Sequence, residues 1–147
     1  IDTDMKLVIA GGSSHSLEYI EKIKEMASKD SRIIMTDFVQ GQVLEELYSN
    51  AYAFVLPSDI EGMALSLLEA MSYGNCCVTS DIEECAAVIT DHGVTFPKGN
   101  VASLTETLQN LCNDTETVTQ HKDKAANYIT AKYSWDDVTE RTLELYQ

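Results

Sequence analysis

The stretch DIEGMALSLLEAMSYG (residues 59–74) decides how the chain is read. Between Gly62 and Ser80 the only charged residue is Glu69, set in a largely apolar segment of Met, Ala, Leu, Ser, Tyr, Cys and Val. A second acid, Glu61, stands eight positions earlier. On a helix, eight residues correspond to about 12 Å of axial rise, less if the first turn is irregular. A helix that begins just after Gly62 presents unsatisfied N–H groups and the positive end of its dipole, a natural seat for a phosphate. Gly62 has no side chain to block approach to that backbone. Carboxylates accept paired hydrogen bonds, so they suit the vicinal hydroxyls of a ribose or hexose. The local pattern is therefore an acid for one sugar, a helix mouth for a phosphate, and an acid for another sugar. Taken singly, Glu69 is equally a structural acid and Glu61 an ordinary loop acid; the pair in its setting carries the specificity.

Outward from this stretch, short apolar runs alternate with longer helical ones. KLVIAGG, RIIMTDFV, AYAFVLPS, CCVTSD and the shorter GVTFP read as strands. SLEYIEKIKEMASK, GQVLEELYSNA and ALSLLEAMSYG read as the helices between them, the last closed by Gly74. After Gly99 the pattern is all helical, with Asn100 and Ser134 as N-caps. Strands separated by helices imply right-handed βαβ units. The expected fold is α/β, a doubly wound Rossmann-like parallel sheet of about five strands covered by helices on both faces, with a helical C-terminus. Ligands of such folds bind beyond the carboxyl ends of the strands. The loops at residues 11–16, 38–41, 58–64 and 80–84 are expected on that edge.

The 147 residues suffice for one domain, expected to span 1–147. A net charge of -14 disfavours nucleic acid and anionic lipid as partners. No apolar run approaches the roughly 20 residues of a membrane-spanning helix, and IDTDMKLVIAGG does not read as a signal peptide. Cys76, Cys77, Cys85 and Cys112 lack metal-ligand spacing, so they are expected to be reduced and structural, as in the cytoplasm. No metal site is expected; Asp81, Glu83, Glu84 and Asp91 fit no metal-binding loop. His92 and His121 are expected to face solvent, and Trp135 with the tyrosines of the last helices to anchor packing. GGSSHS reads as a turn with serine capping, and His15 as a surface histidine rather than a phosphate contact.

LPSDIEGMALSLLEAMSYGNCCVTSD resembles the nucleotide-sugar-binding, C-terminal domain of retaining glycosyltransferases of the group 1 family, which have the GT-B fold. The family hallmark of two glutamates separated by seven residues matches Glu61 and Glu69. LVIAGG, IIMTDFVQGQVLEELYSNA, HGVTFPKGNVASLTETLQNL and YSWDDVTERTLELY extend the likeness along nearly the whole chain. The resemblance implies that Glu69 holds the ribose hydroxyls of a UDP- or GDP-type donor. It implies that Glu61, the acid assigned to catalysis, contacts hydroxyls of the donor sugar. Backbone around Gly62, Met63, Ala64 and Leu65 would meet the sugar and diphosphate, and Val39 would lie near the base. It implies no cofactor and no metal, because the helix dipole and basic side chains stabilise the departing diphosphate. The chain would be the C-terminal half of a longer protein whose N-terminal domain binds the sugar or glycan acceptor, so the segment alone would not turn over.

The chain departs from the family pattern in three places. A preceding strand and its Arg–Lys pair have no counterpart; without that strand the sheet would close in the order 2-1-3-4-5 or leave a gap. Asn75 replaces a proline, a mild change. EECAA stands where the family has glycines and an acid, with Glu83 and Glu84 at the glycines, so either this loop faces away from the diphosphate or the donor site is altered. Two alternatives follow: a non-catalytic nucleotide-sugar-binding module, favoured by that loop, and a sugar-nucleotide epimerase of the same fold.

Overall fold

Arg32 organises the first part of the chain. Its guanidinium grips the Asp30 carboxylate, with Nη2 to Oδ2 at 2.7 Å and Nε to Oδ1 at 3.0 Å, while its Nη1 donates to the Thr3 carbonyl. The computed structural model describes residues 1–12 and 16–146, and the chain divides into two units, Asp2–Leu47 and Tyr48–Gln147, the latter with Ile1. Ser13, Ser14 and His15, the centre of GGSSHS, lie outside the described residues.

In the first unit, β1 (Leu7–Ala10) runs parallel to β2 (Ile33–Asp37), with Leu7 opposite Ile33. The amphipathic helix α1 (Leu17–Ala27) connects them, and α2 (Gln42–Asn50) starts at the unit's end. Leu7, Val8 and Ile34 remain exposed, so these strands are less covered than their apolar sequence implies.

In the second unit, β3 (Phe54–Leu56), β4 (Cys77–Ser80) and β5 (Val94–Phe96) form a parallel sheet in the order β3-β4-β5. The strands are thus hydrogen-bonded as two sheets rather than one in the order 2-1-3-4-5. Every residue of β4 is buried, as a central parallel strand requires. Cys76 and Val78 join Phe96, Leu111 and Val118 in one cluster. Strand alternation turns Cys77 and Thr79 to the opposite face, where α3 (Leu65–Ser72) and α4 (Glu83–Ile89) pack on the strand. Helices α5 (Val101–Asn113), α6 (Thr115–Lys132) and α7 (Trp135–Glu144) complete the unit. Asn100 and Ser134 are N-caps as expected: Asn100 Oδ1 accepts from Ser103 N–H at 3.0 Å, and Ser134 Oγ from Asp136 N–H at 3.1 Å. All four cysteines are free, and burial raises the Cys76 thiol to about 11.

Three expectations need correction. Glu83 and Glu84 lie in the first turn of α4, not in a loop, where two carboxylates complement the helix dipole. His92 does not face solvent: its ring stacks on Tyr128 at 3.8 Å and its side chain is 21% exposed. Trp135 is not a packing anchor in this unit, being 75% exposed at the first residue of α7.

Candidate functional site

The carboxyl edge of β3 leads through Pro57 and Ser58 to the mouth of α3. Helix α3 has no side-chain N-cap. Leu65 N–H folds back onto the Met63 carbonyl at 2.9 Å, and the Leu67 and Leu68 N–H groups share the Ala64 carbonyl at 2.9 and 3.2 Å. Among the described residues the N–H groups of Met63, Ala64 and Ser66 find no hydrogen-bond acceptor. A Cβ added to Gly62 would meet nothing within 4 Å, so the approach to this mouth is open. Buried Ala64, Leu67, Ala70 and Met71 hold the opposite side of the helix in the core, leaving Leu65, Glu69 and Ser72 outward.

Glu69 is therefore not buried by its apolar surroundings; it is exposed, and a buried partner reaches it. The hydroxyl of Tyr48, at the end of α2, donates to Glu69 Oε2 at 3.1 Å and lies 3.4 Å from the Ser66 carbonyl. Tyr48 is 8% exposed. Burial first, then the Glu69 hydrogen bond and charge, push its phenol well above the ordinary range, so it remains a donor. Its ring stacks on Tyr73 at 5.4 Å and tilts against Phe54 at 5.9 Å. From the other end, the buried Asn75 amide donates to the Tyr48 carbonyl at 2.9 Å and to the Ala70 carbonyl at 3.0 Å. Asn75 is thus a structural clamp rather than a mild replacement for proline, which has no such donor.

Glu61 is half-buried and accepts from Ser58 Oγ at 2.6 Å. Ser80, at the end of β4, donates to the Ser58 carbonyl. The two strand ends thereby fix the loop that carries Glu61. Burial, then the charges of Glu61 and Glu84, raise the buried Cys85 thiol, which places both carboxylates within electrostatic reach of one group. Thr79 Oγ1, fully buried on β4, has no partner among the described residues.

A cleft of about 660 Å³ opens along the exposed face of α3, walled by Met63, Leu65 and Glu69 and by Lys132, Trp135 and Arg141 from α6 and α7. Glu61 does not line it. The structure thus gathers Gly62, Met63, Ala64 and Leu65 at one helix mouth with Glu69 along the same helix, and sets Glu61 in the loop before it. Val39 belongs to the first unit, half-buried between β2 and α2. Sequence reasoning missed Tyr48, for which no local signal exists. Ser58 was findable, since Ser58 and Glu61 have the S-x-x-E spacing by which serine and glutamate pair at helix starts. Among the described residues no group of three or more His, Cys, Asp or Glu is placed to hold a metal ion, and no helix is long and apolar enough to cross a membrane.

Residues 1–114 match the family model for glycosyl transferases group 1, and the chain belongs to that family. It is 29% identical over 145 residues to an uncharacterized glycosyltransferase of Methanocaldococcus jannaschii, covering 97% of this chain and 37% of the relative. It is also 29% identical over 145 residues to the O-antigen chain mannosyltransferase B of Escherichia coli, covering 96% and 37%. The chain thus spans little more than a third of these relatives. Its fold matches that of S. aureus TarM, solved with UDP, fondaparinux and α-GlcNAc-glycerol, with a TM-score of 0.82 at 23% identity over 97% of this chain and 29% of TarM.

Proposed function

We propose that this chain is the donor-binding domain of a retaining glycosyltransferase that moves a sugar from a nucleoside diphosphate to a sugar or glycan acceptor. The observation that carries the reading is the uncapped mouth of α3, flanked by Glu61 before it and Glu69 along it. The diphosphate of a UDP- or GDP-type donor accepts from the Met63, Ala64 and Ser66 N–H groups, and the helix dipole offsets its charge. Glu69 binds the ribose hydroxyls. Glu61, held by Ser58, orients the donor sugar through its hydroxyls, so its contribution to catalysis is positional. As the bond between sugar and diphosphate breaks, negative charge grows on the leaving diphosphate, and the fixed N–H groups stabilise it without reorganising. No metal or cofactor is required by this arrangement. Family membership and the UDP bound to TarM support the same assignment. The acceptor is bound by a further domain of a longer protein, and the chain alone binds donor without turnover.

A second reading, a non-catalytic nucleotide-sugar module, is favoured by one observation: two glutamates, Glu83 and Glu84, open α4, and the charge of Glu84 acts on the same Cys85 thiol as that of Glu61. Isothermal titration of UDP and GDP separates the outcomes. The donor reading expects one of them to bind, and Glu69→Ala to weaken binding by roughly tenfold or more, the cost of losing hydrogen bonds to a charged group. Unchanged affinity in that variant contradicts the role of Glu69.

A further inference from the structure

We infer that Tyr48 is a positioning residue: it holds the Glu69 carboxylate in the orientation that receives the donor ribose. The inference rests on the donor-binding reading above and deepens it.

Glu69 stands on an exposed helix face, where a glutamate ordinarily samples several rotamers. Fixing such a side chain costs entropy each time a ligand needs one rotamer, and a preorganised partner removes that cost before the ligand arrives. Tyr48 has the geometry for this task. Its hydroxyl donates to Glu69 Oε2 at 3.1 Å, which leaves Oε1 for a ligand hydroxyl. Its ring has little freedom, pinned between Tyr73 and Phe54. Its backbone is fixed by the buried Asn75 amide, which also binds the Ala70 carbonyl on α3, one residue past Glu69. Donor and acceptor are therefore locked to the same helix at two points, and the hydroxyl cannot drift from the carboxylate. The bond runs from a buried phenol that stays protonated to an exposed carboxylate. The buried hydroxyl needs an acceptor for its own sake, and taking Glu69 as that acceptor fixes the carboxylate at the same time.

The test compares UDP and GDP with their 2′-deoxy forms on wild type, Tyr48→Phe and Glu69→Gln, by isothermal titration with the unfolding midpoint of each variant. Phenylalanine keeps both ring contacts and the backbone bond to Asn75. The inference expects wild type to prefer the ribose form, and Tyr48→Phe to lose roughly fivefold of that preference while the deoxy affinity stays constant. Adding Tyr48→Phe to Glu69→Gln should then cost nothing more. A purely structural tyrosine lowers both affinities together and leaves the ribose preference intact, which overturns the inference while the donor reading stands. If Glu69→Gln itself leaves the preference untouched, or neither nucleotide binds, the donor reading fails and this role with it. Should Tyr48→Phe fall markedly in unfolding midpoint, the Glu69→Gln background decides: an equal fall in both backgrounds marks a packing role and overturns the inference.

Discussion

Asn75 and Tyr48 are joined by a buried hydrogen bond, Asn75 Nδ2 donating to the Tyr48 carbonyl at 2.9 Å, although 27 residues separate them in sequence. The same amide satisfies the Ala70 carbonyl, and the Asn75 backbone N–H also donates to Ala70. Three hydrogen bonds from one residue thus weld the end of α2 to the end of α3, and they set the floor on which Glu69 is presented.

Asn75→Ala removes the two side-chain bonds, leaving the Tyr48 carbonyl only the longer 3.4 Å bond from Ala51 N–H, while the backbone N–H of residue 75 still serves Ala70. We expect it to cost about 2–3 kcal/mol of unfolding free energy. Asn75→Pro, which also deletes the backbone N–H, should cost more than Asn75→Ala. Urea unfolding of the two variants measures both; a loss below about 0.5 kcal/mol would deny the clamp.

How much of this was legible in the sequence depends on how far apart the partners lie. The apolar run at Phe54–Leu56, the helix closed by Gly74, and the caps Asn100 and Ser134 all rest on neighbours within a few residues, and each was readable. Helix α4 was not: it has only seven residues, follows Ile82 without a side-chain cap, and opens with two glutamates that resembled an altered loop. The roles of Tyr48 and Asn75 were invisible because they depend on tertiary contacts between α2 and α3. His92 and Trp135 failed in opposite directions for the same reason, since only the packing of α6 and α7 decides which ring is covered.

Glu83 and Glu84 add two negative charges at the start of α4. Glu83→Gln with Glu84→Gln should strengthen UDP or GDP binding by roughly twofold to fivefold at low salt, the scale of exposed charge interactions. The gain should vanish near 0.5 M salt, about where screening acts within a few ångströms. Titration at two ionic strengths checks this; a weaker complex would mean that these acids hold the ligand.

Gly93 sits against β4. A Cβ there would lie 2.7 Å from the Cys77 carbonyl oxygen, which is backbone and cannot swing aside. Gly93→Ala should therefore destabilise the fold by about 1–3 kcal/mol, or several degrees in unfolding midpoint. An unchanged midpoint would show that this contact relaxes freely.

Asp30 is held at about 2 by the side-chain hydrogen bond from Arg32, then by the Arg32 backbone N–H. A carboxyl whose folded value is depressed stabilises the fold above its unfolded value, near 3.9, and that contribution fades as pH falls toward 2. Arg32→Gln should move the Asp30 titration upward toward the ordinary range and flatten the stability–pH curve in this window. Carbon NMR titration of the Asp30 carboxyl reads the shift; an unmoved midpoint would assign the depression to another cause.

The mouth of α3 is the seat proposed for the donor diphosphate. Amide NMR during titration with UDP and GDP reports on it directly. One nucleotide should shift the Met63, Ala64 and Ser66 amides first and furthest, with Glu69 following, and shifts at α5 should stay small. Saturable binding that moves other amides and leaves Met63, Ala64 and Ser66 in place would contradict that seat.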